Sequence, residues 1–246
     1  MADFSGKAAL VTGGTRGIGA AIVRHLASGG ADVAFTYANS GEKAAALVEE
    51  LAALGRRGVA IQADSGDAHA LRRGVERAAA ELGRLDILVN NAGIFPSGPF
   101  EDVSLEEIDR TLAVHVRGVF VAAQAALAHM THGGRIISIG SCFAQRVPYG
   151  GVTLYAMSKS ALVGLTKGLA REVGGRGITV NVVDPGSTDT DMNPADGPHV
   201  SGELALMAVK HFALPEDIAA TVGHLAGPSG RFITGASIAV DGGFTA

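Results

Sequence analysis

The chain has 246 residues, of which 47% are hydrophobic and 18% charged, and its net charge is −4. A chain of this length buries roughly 70–75% of its unfolded surface, so the composition supports a filled core and excludes a disordered polymer. Charges of both signs are scattered, so no nucleic-acid surface and no acidic docking arm is expected. Cys142 is the only cysteine, which rules out an internal disulfide and suits a reducing compartment. The stretch Met1 to Lys7 lacks a signal-peptide core, and the longest apolar runs fall far below a membrane span. The expected location is therefore cytoplasmic, with no membrane partner.

In chain order, Ala8 to Val11 reads as a strand buried on both faces. A glycine-rich turn follows, holding Gly13, Thr15, Arg16, Gly17, Ile18 and Gly19, and a helix runs over 20–28. Strand, glycine turn and helix make a phosphate cradle, because glycines let the backbone approach and helix N–H groups face the anion. The spacing Gly-x3-Gly-x-Gly differs from the commonest dinucleotide fingerprint, and an ordinary tight βα turn is the plain alternative. Asp32 to Tyr37 is the second strand. The acid that would hold the ribose 2′-hydroxyl of NAD(H) is missing from Tyr37, Ala38, Asn39 and Ser40. Arg16 can meet a 2′-phosphate instead, or remain a solvated arginine, and the pattern favours NADP(H) over NAD(H).

A helix is expected from Glu42 to Leu54, then a strand from Gly58 to Gln62 that runs into Asp64 and Ser65. Asp67 can cap the next helix, to about Leu82. Leu85 to Val89 is a strand ending in Asn90, Asn91, Ala92 and Gly93, where asparagines either tie strands together or border a ligand. Ser104 to Glu107 is a capping-box pattern opening a long helix with one interruption, expected to reach His132. Arg135 to Gly140 is a strand with Ser141 at its carboxyl end, the edge where open α/β sheets bind ligands. Mid-strand Ser138 reads as structural.

A helix carrying Tyr155 and Lys159 runs to about Val173, and Ile178 to Val183 is a strand ending in Asp184, Pro185 and Gly186. The segment 187–212, with a helix from Ser201 to His211, reads as a cover over the site. A helix starting at Pro215 and a strand from Ala236 to Val240 complete the chain. Strands alternating with helices predict an α/β fold: one doubly wound Rossmann-type domain over 1–246, a parallel sheet with helices on both faces.

Tyr155 and Lys159 are four apart and share a helix face. A phenol near its ordinary pKa of about 10 is a poor acid or base at neutrality, and a neighbouring ammonium is expected to draw that value down. A serine hydroxyl from elsewhere can bind the oxygen whose charge changes. The trio can move a proton to or from an alcohol or carbonyl oxygen.

With Thr12 to Gly19, Asn90 to Gly93, Ser141, Tyr155/Lys159 and Pro185-Gly186 in this order, the chain resembles the short-chain dehydrogenase/reductase family along nearly its whole length. The resemblance implies a seven-stranded sheet ordered 3-2-1-4-5-6-7 and a homotetramer joined through helices 104–132 and 153–173. It implies that Tyr155 is the acid/base, that Ser141 orients the substrate oxygen, and that Lys159 holds the nicotinamide ribose. Asp64 would lie by the adenine, Asn91 to Gly93 by the adenine ribose, and Thr188 or Thr190 by the carboxamide or phosphates. The implied partner is a small carbonyl or alcohol substrate.

The subgroup most similar is the 3-oxoacyl-[acyl-carrier-protein] reductase-like enzymes. Arg176 matches one docking arginine of theirs, but His132 stands in place of the other, which weakens an acyl carrier protein as partner. The family's active-site asparagine, set in a helix break that binds a water, aligns with His115. His115 therefore enters the candidate catalytic set, either in the proton relay or packed beside it. His129 and His132 have no acid or cysteine cluster nearby, so no metal site is expected. An NAD-linked alcohol or sugar dehydrogenase and a silent dinucleotide-binding sensor are the alternatives.

Overall fold

The structure is a computed structural model that describes residues 3–246. Seven strands, β1 (Ala8–Val11), β2 (Asp32–Tyr37), β3 (Gly58–Gln62), β4 (Ile87–Asn90), β5 (Arg135–Ile139), β6 (Thr179–Pro185) and β7 (Ser237–Val240), form one sheet. Its order is β3-β2-β1-β4-β5-β6-β7 and every pairing is parallel. The strand order implied by the family resemblance is the observed one. Parallel strands bury both faces, which is why β1 and β4 are apolar without alternation.

Side-chain alternation divides the core into two layers. Ala9, Val11, Val33, Phe35, Ile87 and Val89 pack against α1 (Gly17–Ser28), α2 (Gly41–Ala53) and α8 (Pro215–Ala226). Leu10, Ala34, Leu88 and Ile136 pack on the other face, against α3 (Ala68–Leu82), α5 (Gly118–Leu127) and α6 (Thr153–Val173). Caps stand where the sequence places them. Asp67 accepts from the His69 and Ala70 N–H groups at 2.9 and 3.0 Å, and Ser104 forms a reciprocal capping box with Glu107 that opens α4 (Leu105–Leu112).

Two helices differ from expectation. The long helix has its expected interruption, a π-helical turn at Ala113–Arg117, but α5 stops at Leu127, short of His132. Arg176 explains the stop: its guanidinium donates to the carbonyls of Leu127 and Met130. The helix of the cover is α7 (Val200–Leu206), which ends five residues before His211. Met207 is buried there in an extended backbone, and the next N–H groups, of Ala208 and Val209, donate to the Gly242 carbonyl at 2.9 and 2.8 Å. No helix among the described residues is long and apolar enough to cross a membrane.

Candidate active site

The carboxyl ends of the strands open into a cleft of about 1340 Å³. Among the described residues no group of three or more metal-ligating side chains is placed to hold an ion. At one end lies the glycine turn. Gly13 has φ +65°, and a side chain there would meet the Ala92 backbone at 3.0 Å. The turn is held from both sides, since Gly13 N–H donates to Thr36 Oγ1 and Asn91 Nδ2 donates to the Thr12 and Gly13 carbonyls at 3.0 and 2.9 Å. Asn91 thus ties β4 to the turn and also borders the cleft. No side chain caps α1 and no acid sits in its first turn, which leaves its N–H groups facing the cleft for an anion.

Next to this cradle, Tyr37, Ala38, Asn39 and Ser40 form a wall without an acid, and Arg16 faces it. Lys43 on α2 supplies a second cation there. Asp191, from the cover, lies 3.3 Å from Lys43 Nζ and 3.9 Å from Arg16 Nη1. Asp64 and Ser65 border the same region, and the Asp64 carboxylate is gripped by Arg110 in two hydrogen bonds of 2.8 and 2.9 Å. That guanidinium holds the Asp64 carboxyl below the usual range.

At the opposite end stand Ser141, Tyr155 and Lys159. Lys159 is buried, and its ammonium donates to the Ile139 carbonyl at 2.9 Å while lying 5.7 Å from the centre of the Tyr155 ring. Burial pulls the lysine down to about 8 and pushes the Tyr155 phenol up to about 12, with the Ser141 hydroxyl pulling the phenol the other way. The sequence expectation that the ammonium lowers the phenol is therefore not met by the protein groups alone. Loss of hydration outweighs a cation directed at a carbonyl. Around Tyr155, Phe95 (centroids 4.8 Å), His115 (5.7 Å) and Phe143 (6.1 Å) pack edge-on.

His115 sits within the π turn and is 1% exposed. It lies behind the cleft wall. Its Nε2 accepts the Ile94 N–H at 3.0 Å, so the proton is on Nδ1, which donates to Ser158 Oγ at 2.8 Å. The Ser158 hydroxyl in turn donates to the Tyr155 carbonyl at 2.7 Å. Burial, with the Lys159 charge beside it, holds the imidazole neutral down to about pH 3.

Every residue predicted for cofactor or chemistry borders the cleft except His115: Gly13 and Thr15 to Gly19 of the turn, Tyr37 to Ser40, Asp64, Ser65, Asn91 to Gly93, Ser141, Tyr155, Lys159, Pro185, Gly186, Thr188 and Thr190. Sequence reasoning missed Lys43, the aromatic wall of Phe95, Phe143 and Tyr149, and the brace Ser158. Lys43 had a signal, as a cation in the first turn of the helix after the acid-free wall.

A family model described as enoyl-(acyl carrier protein) reductase matches residues 13–245. The chain belongs to the short-chain dehydrogenase/reductase family. It is 45% identical over 246 residues to the cyclic-di-GMP-binding biofilm dispersal mediator protein of Escherichia coli, covering 100% of both chains. A short-chain dehydrogenase from Burkholderia cenocepacia, solved in complex with NADP, superposes with a TM-score of 0.98 at 57% identity, covering 99% of each chain. A blue fluorescent protein from a metagenomic library, solved with NADPH, gives 0.98 at 58% identity over 99% of this chain and 100% of that one.

Proposed function

We propose that this protein is an NADP(H)-dependent oxidoreductase that interconverts a ketone and a secondary alcohol. The observation that carries the reading is the placing of Ser141, Tyr155 and Lys159 at one end of the cleft whose other end is the glycine cradle. The cradle suits a dinucleotide: backbone at Gly13 leaves no room for a side chain, the α1 N–H groups are uncapped, and Arg16 with Lys43 stands where a 2′-phosphate would lie. The bound cofactor supplies or accepts the hydride. The protein does the rest. Tyr155 passes a proton to or from the substrate oxygen, and Ser141 donates a hydrogen bond to that oxygen. Lys159 keeps a positive charge against the phenol as its proton leaves, and the neutral His115–Ser158 brace fixes the first turns of α6 against residue 94.

The aromatic wall of Phe95, Phe143 and Tyr149 favours a substrate with a flat or apolar body beside the carbonyl. An acyl carrier protein fits poorly, because the expected docking cation Arg176 is committed to the end of α5. Exposed Leu105 and Phe120 on α4 and α5, with Met157 on α6, support a homotetramer through these helices.

NADPH oxidation against ketones, diketones, quinones and acyl thioesters tests the activity. Turnover of at least one ketone class is expected, with a loss of about 100-fold or more in Tyr155→Phe, the scale of general acid catalysis. Near-normal rates in that variant at saturating substrate would refute the assignment. The relative named for cyclic-di-GMP binding supports a second reading, a nucleotide sensor built on the same cleft. Tight nucleotide binding without turnover across the panel would favour it.

A further inference from the structure

Asp184, on β6 beside the triad, has no part in the reading above and is 0% exposed. Its carboxylate accepts the Ser141 backbone N–H at 3.1 Å, Gln145 Nε2 at 3.3 Å and the Ser237 hydroxyl. Those donors come from the end of β5, the turn after it, and β7. A carboxylate only accepts, so three converging donors are the shell that an ionised acid needs when buried. The neighbouring backbone is shaped to admit it: a Cβ on Gly140 would overlap Asp184 Oδ1.

The carboxylate therefore does two things. It pins the main chain of Ser141, and it sets a fixed negative charge behind the triad. A nearby negative charge disfavours phenolate and favours ammonium. Burial is the larger influence on both groups, while Asp184 adds to it at Tyr155 and opposes it at Lys159. The other titratable groups that meet here are Cys142, Tyr149, His115 and Asp241. Cys142 and His115 are neutral at ordinary pH, and burial raises Tyr149. Asp241 is turned to its own loop, accepting from Gly243 N–H and from Thr245.

Resting on Tyr155 as the acid/base, we infer that Asp184 is a positioning residue that locks Ser141 and keeps Tyr155 in its proton-donating form to higher pH than the triad alone would. The chain has three tyrosines and no tryptophan, so NMR of protein labelled with 13C at tyrosine Cζ gives few signals. Tyr155→Phe identifies the Tyr155 signal by its loss.

The titration compares wild type, Asp184→Asn and Gln145→Lys with saturating NADP+ from neutral pH upward through the Tyr155 step of each protein. Asp184→Asn keeps an acceptor for Ser141 and removes the charge. Gln145→Lys leaves Asp184 in place and offsets its charge from an exposed position, so it serves even where the buried change prevents folding. Both are expected to move the Tyr155 step down by about one pH unit, the size of a close charge effect. Unmoved steps in the variants that fold would overturn the inference. Asp184→Ala, which also frees the Ser141 backbone, is expected to lower kcat at every pH, whereas Asp184→Asn changes mainly the pH profile. Identical kcat–pH profiles for Asp184→Asn and wild type would likewise defeat it. An active Tyr155→Phe would instead sink the acid/base reading and leave the titration result standing by itself.

Discussion

The two ends of the cleft handle charge in opposite ways. Around Tyr155, charged and titratable groups are buried and individually committed: Lys159 to a carbonyl, His115 to Ile94 and Ser158, Asp184 to three donors. At the other end, Arg16, Lys43 and Asp191 keep 53%, 58% and 55% of their side chains exposed and pair loosely. Buried groups act through desolvation and fixed geometry, so changes there are salt-independent, and loss of a buried charge is severe. Exposed groups act through screened attraction, so changes there are milder and fade with salt. On the proposed reading, chemistry is kept at the first end and recognition at the second.

Five substitutions sharpen this contrast. The largest effect is expected from Lys159→Ala, which deletes a buried cation and leaves the Ile139 carbonyl without its partner. Turnover should fall by about 100-fold or more, with weaker cofactor binding by fluorescence titration. Retention of both would remove Lys159 from its double role.

Next, Arg16→Ala and Lys43→Ala should each weaken NADPH by about 1.5 kcal/mol, roughly tenfold, as expected of one charge-assisted contact to phosphate. NADH binding should change little, and the difference should shrink as salt rises. Equal losses for both cofactors would show that neither cation reads the 2′-phosphate. Because Asp191 lies against the same two cations, Asp191→Asn should tighten NADPH slightly, by under about 1 kcal/mol.

The smallest effect on rate is expected at His115. With both ring nitrogens bonded and the imidazole neutral to about pH 3, the ring braces the site and does not titrate during turnover. His115→Asn should stay within about tenfold of wild-type activity. Its signature lies in stability. In the unfolded chain the imidazole takes a proton near pH 6.5, whereas the folded one resists until about 3. Stability is therefore intact above 6.5 and is lost as pH falls towards 3. Urea titrations across that window should show a steeper acid loss in wild type than in His115→Asn, and parallel curves would contradict the buried neutral ring.

Legibility from sequence followed the same division. The strands, the glycine turn and the acid-free wall after β2 were readable, because apolar runs, glycines and caps act over a few residues, whereas the sheet order and the break at His115 came from the family resemblance. The NADP(H) preference read from that wall agrees with the NADP and NADPH complexes of the two solved neighbours. Asp184 was read only as the end of a strand, and Ser158 was not singled out. Their roles depend on partners 43 residues away in each case, and no local pattern announces such a pairing. The pKa of Tyr155 was misjudged for a related reason: helix spacing shows that a lysine is near, but not that it points to a carbonyl and that burial dominates. The early ends of α5 and α7 were hidden because Arg176 and the Gly242 carbonyl reach them from distant loops.

The π turn also acts as a phase setter. It carries one residue more than an α-helix would need between α4 and α5, and one residue is about 100° of helix rotation. A one-residue deletion within 113–117 would let ordinary i to i+4 bonds close, yet would turn all of α4 about its axis relative to α5. Arg110 would swing away from Asp64, which it now grips across the mouth of the cleft. The irregular turn is thus a timing element: it lets a single long segment present one face to the buried core and, a quarter turn later, another face to the ligand cleft.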